Sequence, residues 1–134
     1  GIQLEVGEQA TAFEHCSFGD ELARCQRYYQ RLIPQNAAAV VGSGVEYSTT
    51  SHYIIHHHPV PMRTTCTLGY SDFTHLRLYT QGTSTTINGF SRGGGTSYTS
   101  ELNPSTASGI GTAGNGIWMR IYDTSGHVDF DAEL

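Results

Sequence analysis

From Gln35 onward the chain reads as short runs in which apolar and polar residues alternate, the period that puts every second side chain on one face of a β-strand. The clearest run is Ile117 to Tyr122, where Ile117, Met119 and Ile121 face one way and Trp118, Arg120 and Tyr122 the other. After Thr124 to Gly126, which reads as a hairpin turn, Val128, Phe130 and Ala132 alternate with Asp129, Asp131 and Glu133. Further strands are expected at Ala38–Tyr47, Tyr53–Val60, Thr64–Leu68, Phe73–Thr80, Thr83–Ile87 and Tyr98–Leu102. Gly42, Gly44, Gly69, Gly82 and the run Gly93–Gly95 break or end them, and Ser105 to Asn115 is a loop by composition. About seven short strands with frequent turns predict an antiparallel β-sandwich, jelly-roll-like. Its expected core includes Ile117, Met119, Ile121, Val128 and Phe130.

The N-terminal part follows a different rhythm. Ile2 to Phe13 reads as extended, because Ile2, Leu4 and Val6 alternate with Gln3 and Glu5 before Gly7. Ser17 is a good N-cap, with Asp20 three residues on. From there Phe18, Leu22, Cys25, Tyr29 and Leu32 recur at steps of four and three, a helical spacing close to a heptad seam. Asp20 and Glu21 near the start and Arg27 and Arg31 near the end suit the helix dipole, and Pro34 stops it. One helix over residues 18–32 is therefore expected, in an N-terminal segment 1–35 ahead of a sandwich domain 36–134. The seam spans two heptads, so either the helix docks on its own sandwich or three such helices meet.

Composition narrows the function. The chain has 134 residues, enough for one domain, and eight Tyr, five Phe and one Trp supply material for a core. Net charge is −5, and all seven basic residues are scattered arginines. No basic stripe forms, so nucleic acid is a poor partner, and no apolar run reaches the length of a membrane-spanning helix. Cys16, Cys25 and Cys66 make no C-x-x-C pair, so they are expected as free thiols of a chain made in a reducing cytoplasm. Gly1 opens inside an alternating pattern, as the tail end of a longer protein would.

Three motifs invite chemistry. Gly89-Phe90-Ser91-Arg92-Gly93 matches G-x-S-x-G, with Asp123 and His127 downstream in hydrolase order. A nucleophile elbow needs a strand turning into a helix, and Gly94 and Gly95 deny it that helix, so a glycine-rich hairpin is expected. Gly109 to Gly114 matches G-x-G-x-x-G, but a strand follows where phosphate binding needs a helix, so no nucleotide is expected. His56-His57-His58 is the remaining cluster. On a strand His56 and His58 share a face and His57 opposes them. That pair would hold a metal only with further ligands, such as those of other chains around a three-fold axis; the alternative is a face packed on aromatic neighbours. No catalytic residue, receptor-binding residue, metal or cofactor is assigned.

Several segments carry a resemblance. Gln3-Leu4-Glu5-Val6-Gly7 with Ala10-Thr11-Ala12-Phe13-Glu14 resembles the QLE-x-G…AT-P-FE pattern of jelly-roll, carbohydrate-binding-like domains in bacteriophage structural proteins. Gly19 to Tyr29 is similar to that family's GEELALCQRYY segment, Pro59 to Arg63 to its PVPMR, and Phe130 to Leu134 to its F-x-AEL end. The likeness runs nearly the whole chain. Ala12 replaces a usual proline, Cys66 stands near another, and the triple histidine lies outside the pattern. The resemblance implies the tip domain of a tail fibre or other virion appendage, made in the host cytoplasm and preceded by other fibre modules. It brings no catalytic residues. The expected role is attachment to a host-surface receptor, a glycan, with no enzymatic activity and no membrane insertion. Loops rich in Tyr, Asn, Ser and Thr suit sugar contacts. A structural trimerisation or folding module is the alternative, and a polysaccharide depolymerase the third. Symmetric fibre tips lead us to expect a homotrimer.

Overall fold

A computed structural model describes residues 17–36 and 38–133. The expected extended run Ile2–Phe13, Cys16 and the first two resembling segments lie outside the described residues. One helix precedes ten strands that form two antiparallel sheets, an antiparallel β-sandwich.

Helix α1 (Phe18–Gln26) begins at Ser17, whose Oγ accepts from the Asp20 amide at 3.2 Å and donates to Asp20 Oδ2 at 2.8 Å. It ends six residues earlier than the heptad spacing predicts. Tyr28 and Tyr29 favour extended backbone, and the Gln30 side-chain amide donates to the Gln26 carbonyl at 2.9 Å, satisfying an orphan acceptor of the helix end. The chain then enters β1 (Tyr29–Leu32), which pairs with β10 (Val128–Asp131) in the register Tyr29 with Asp131 to Leu32 with Val128. Tyr29 and Leu32 thus stand on a strand rather than on a helical seam, and the sandwich begins before residue 36. On the far side of β10 lies β4 (Thr67–Tyr70), giving a small sheet in the order β1-β10-β4.

The large sheet has seven strands: β2 (Ala39–Glu46), β3 (His52–His57), β5 (Leu76–Thr80), β6 (Thr83–Thr86), β7 (Gly89–Gly95), β8 (Thr99–Ser105) and β9 (Gly116–Ile121). Their order is β6-β5-β9-β2-β3-β8-β7. Strands β5 and β6 meet at Gln81 and Gly82, both at positive φ (42° and 79°), the two-residue turn whose twist matches a hairpin. Strand β5 starts later than its sequence pattern implies, because Phe73–His75 forms a single 3-10 turn capped by Asp72. The Gly93–Gly95 run, expected as a turn, belongs to β7, with a register shift between Arg92 and Gly95 just before the turn into β8.

Strands β9 and β10 do not form the hairpin that their alternation implies. Strand β9 pairs with β5 and β2, β10 with β1 and β4, and the connection crosses from one sheet to the other. The Asp123 carbonyl accepts from the Gly126 amide at 2.9 Å and its Oδ1 from the Ser125 amide at 2.7 Å, closing the corner. Gly126 is buried against Ile121 and His75, leaving no room for a side chain.

Between the sheets lies one apolar core. Ile117, Met119, Ile121, Val128 and Phe130 are all buried in it, as the alternation predicts, together with Ile54, Leu76, Leu78 and Leu102. Phe130, on the central strand of the small sheet, reaches across to the inward face of β3.

Candidate functional site

The inward face of β3 carries His52, Ile54 and His56, continued by His58, while Tyr53, Ile55 and His57 point outward. The same-face pairing of His56 and His58 is as the strand period requires. The His56 ring stacks on Phe130 at 4.5 Å between centroids and the His58 ring meets it edge-on at 4.9 Å. His56 Nδ1 donates to the Val41 carbonyl at 2.6 Å. His58 Nδ1 lies 3.1 Å from Gln30 Oε1, and its Nε2 lies 2.9 Å from Ser100 Oγ. Both rings are buried between the sheets and packed on Phe130, the aromatic-neighbour alternative that the sequence left open. No group of three or more His, Cys, Asp or Glu among the described residues is placed to hold a metal.

The proton positions around His58 follow from its partners. The Gln30 amide nitrogen is committed to the Gln26 and Val60 carbonyls, so Gln30 Oε1 accepts from His58 Nδ1. His58 Nε2 then accepts from Ser100, whose oxygen in turn takes a hydrogen bond from Arg92 Nε at 3.3 Å. The ring must be neutral. Burial, with His56, Arg92 and His57 nearby, pushes its pKa down to about 4. Sequence reasoning missed this Ser100–His58–Gln30 chain, whose members stand on three elements. It has the outline of a nucleophile and base, but Ser100 is fully buried, so no substrate carbonyl reaches it.

Ser91 is exposed on β7 opposite Asn103, in a strand rather than an elbow. The Gly109–Gly114 stretch is a loop, as expected, and Gly111 packs on the Glu46 carboxylate where any side chain would collide. Glu46 is buried opposite His52 across β2 and β3, with both its carboxylate oxygens and His52 Nδ1 unpartnered among the described residues. Burial lowers the His52 pKa while the Glu46 charge raises it. The pair is sealed from solvent and offers no entry to a ligand.

What solvent meets is the outward face of the large sheet. Tyr79 of β5 and Trp118 of β9 are direct cross-strand partners, their rings parallel within 3° at 5.9 Å between centroids. Trp118 is 39% exposed. Arg77 and Arg120 are the next pair along the same two strands. The Arg77 guanidinium lies 4.1 Å above the Tyr122 ring and that of Arg120 5.2 Å above Tyr79. Small Ser43 of β2 adjoins Trp118, and Ile55 of β3 lies beyond it. Val45 and Tyr53 form the neighbouring exposed pair, with Tyr47 packed against Tyr53 at 5.0 Å. These aromatic and apolar side chains adjoin one another across the sheet face. The sequence placed sugar contacts on loops; these aromatic groups stand on strands. The signal was present in the outward half of each alternation, Trp118-Arg120-Tyr122 and Arg77-Tyr79.

No family model, curated protein or solved structure matches this chain.

Proposed function

We propose that this chain is a receptor-binding tip domain of a bacteriophage tail fibre or other virion appendage, and that the outward face of its large sheet binds a host-surface glycan without catalysing a reaction. The observation that carries this reading is the parallel Tyr79–Trp118 pair on an open sheet face. Sugar rings pack their apolar faces on such aromatic platforms while short polar side chains take the hydroxyls. The resemblance of Gly19–Tyr29, Pro59–Arg63 and Phe130–Leu134 to phage structural proteins supports the virion setting. Cys25 and Cys66 are free, as a chain made in a host cytoplasm would carry them. No helix among the described residues is long and apolar enough to cross a membrane.

A trimerisation role has its own observation. Phe18, 80% exposed, and Leu22 lie on α1, none of whose residues is buried among the described residues. Three copies of that helix meeting at an axis would cover them, in a homotrimer that also multiplies weak glycan contacts.

The glycan reading is tested on an array of bacterial surface polysaccharides. The unaltered domain binds a subset, and Trp118→Ala with Tyr79→Ala loses that binding at unchanged melting temperature. An array silent for the unaltered domain, or binding indifferent to both substitutions, contradicts the proposal.

A further inference from the structure

We infer that the glycan is acidic and that Arg77 and Arg120 hold its carboxylate, an inference that rests on the glycan-binding reading above. The two arginines stand directly opposite each other on β5 and β9, so both side chains leave the same sheet face from adjacent positions, the Arg77 guanidinium over Tyr122 and that of Arg120 over Tyr79. Like charges in that arrangement repel, and a carboxylate between them is the usual relief. None is supplied by the described residues. The ion pairs among the described residues are those of Arg31 and His127, both with Asp129. Among the described residues, the partners of the Arg77 and Arg120 guanidinium groups are rings, those of Tyr122 and Tyr79.

Each Nε is buried without a hydrogen-bond partner among the described residues, and each guanidinium lies over a ring. The terminal nitrogens are not sealed in this way. Each guanidinium is thus partly ordered by its ring before an anion arrives, which lowers the ordering cost of binding one. The rest of the protein offers anions little: its net charge is −5, so the pair is a local exception rather than part of a basic field.

The occupant follows from what adjoins the pair. A nucleic acid needs a stripe of cations along its backbone, which seven scattered arginines do not supply. A saccharide fits. Trp118 and Arg120 are two residues apart on one strand, roughly 7 Å along the face. A pyranose resting on Trp118 therefore extends its ring substituents toward Arg120. In a uronic acid the carboxylate is bonded directly to a ring carbon, so platform and anion holder are spaced for a single residue of that sugar. Charge complementarity and ring spacing both select a carboxylate-bearing glycan.

The test compares uronate-bearing bacterial polysaccharides, immobilised in native form and after carboxyl reduction, for binding of the unaltered domain. Reduction leaves the protein untouched, so the result is independent of how any variant folds. Native forms bind on the order of tenfold or more tighter than reduced ones. Arg77→Gln with Arg120→Gln binds both forms alike, at the level of the unaltered domain on reduced glycan. The Lys pair keeps part of the preference because it retains charge without the fork. Equal binding of native and reduced forms by the unaltered domain overturns the carboxylate assignment and leaves glycan binding standing. Absence of binding to either form overturns this inference, and silence across the whole array overturns the glycan reading with it.

Discussion

His58 shows how one buried side chain sets a solution property. Its pKa falls to about 4 on folding, so above the unfolded value near 6.5 neither state is protonated and its contribution to stability is complete. Between about 6.5 and 4 the unfolded chain takes up a proton that the folded chain refuses, and stability is lost as pH falls. The loss from this residue amounts to roughly 3 kcal/mol. Burial moves His52 and His56 in the same direction, which steepens the decline. Urea unfolding followed from about pH 7.5 down to about pH 4.5 should show it. His58→Gln should cost about 1–3 kcal/mol at neutral pH by leaving Ser100 and Gln30 without their shared partner. The same substitution should flatten the pH slope, and an unchanged slope would contradict the account. That His56 and His58 share a face was legible from the strand period. That the face packs on an aromatic neighbour was one of two readings the sequence left open, because the partner that decides it, Phe130, lies at the other end of the chain.

At the scale of elements, β2 and β3 are held so close that glycine becomes obligatory. A Cβ at Gly44 would run into the Tyr53 carbonyl oxygen and the Ile54 backbone, which cannot move without breaking the ladder. Gly44→Ala should therefore cost more than about 3 kcal/mol, measured as a drop in the urea midpoint at constant slope. A loss below about 1 kcal/mol would mean that the strands separate freely there. Strands with clean alternation, such as β5 and β9, were readable from sequence because one face is aliphatic. Two elements were misread for physical reasons. The stretch Tyr29–Leu32 satisfies a helical spacing but also pairs with β10, and its long-range ladder, braced by the Arg31–Asp129 contacts at 2.7 and 2.8 Å, overrides the local period. Strand β7 was hidden because its glycines carry no hydrophobic pattern, although their backbone pairs as well as any other. The β9–β10 corner reads as a hairpin locally, and only the partners of each strand separate it from one.

For the whole molecule, a single core closed by Phe130 leaves two surfaces without a partner among the described residues, the apolar side of α1 and the outward face of the large sheet. The first belongs to assembly. Light scattering at low concentration should give a mass near three chains, falling toward one in Phe18→Ser with Leu22→Ser; a single-chain mass at every concentration would contradict the trimer. The second carries the central claim. Sequence supplied its residues as the outward halves of two strands, yet only the sheet order, which sets β5 beside β9, turns them into a platform. Trp118 is the one tryptophan in the chain, so its fluorescence reports from the proposed site without interference. Titrating the domain with a polysaccharide that it binds should give a saturable change in emission, with a midpoint equal to the affinity measured independently. Saturable binding that leaves Trp118 emission unaltered, and that Trp118→Ala does not weaken, would contradict the account.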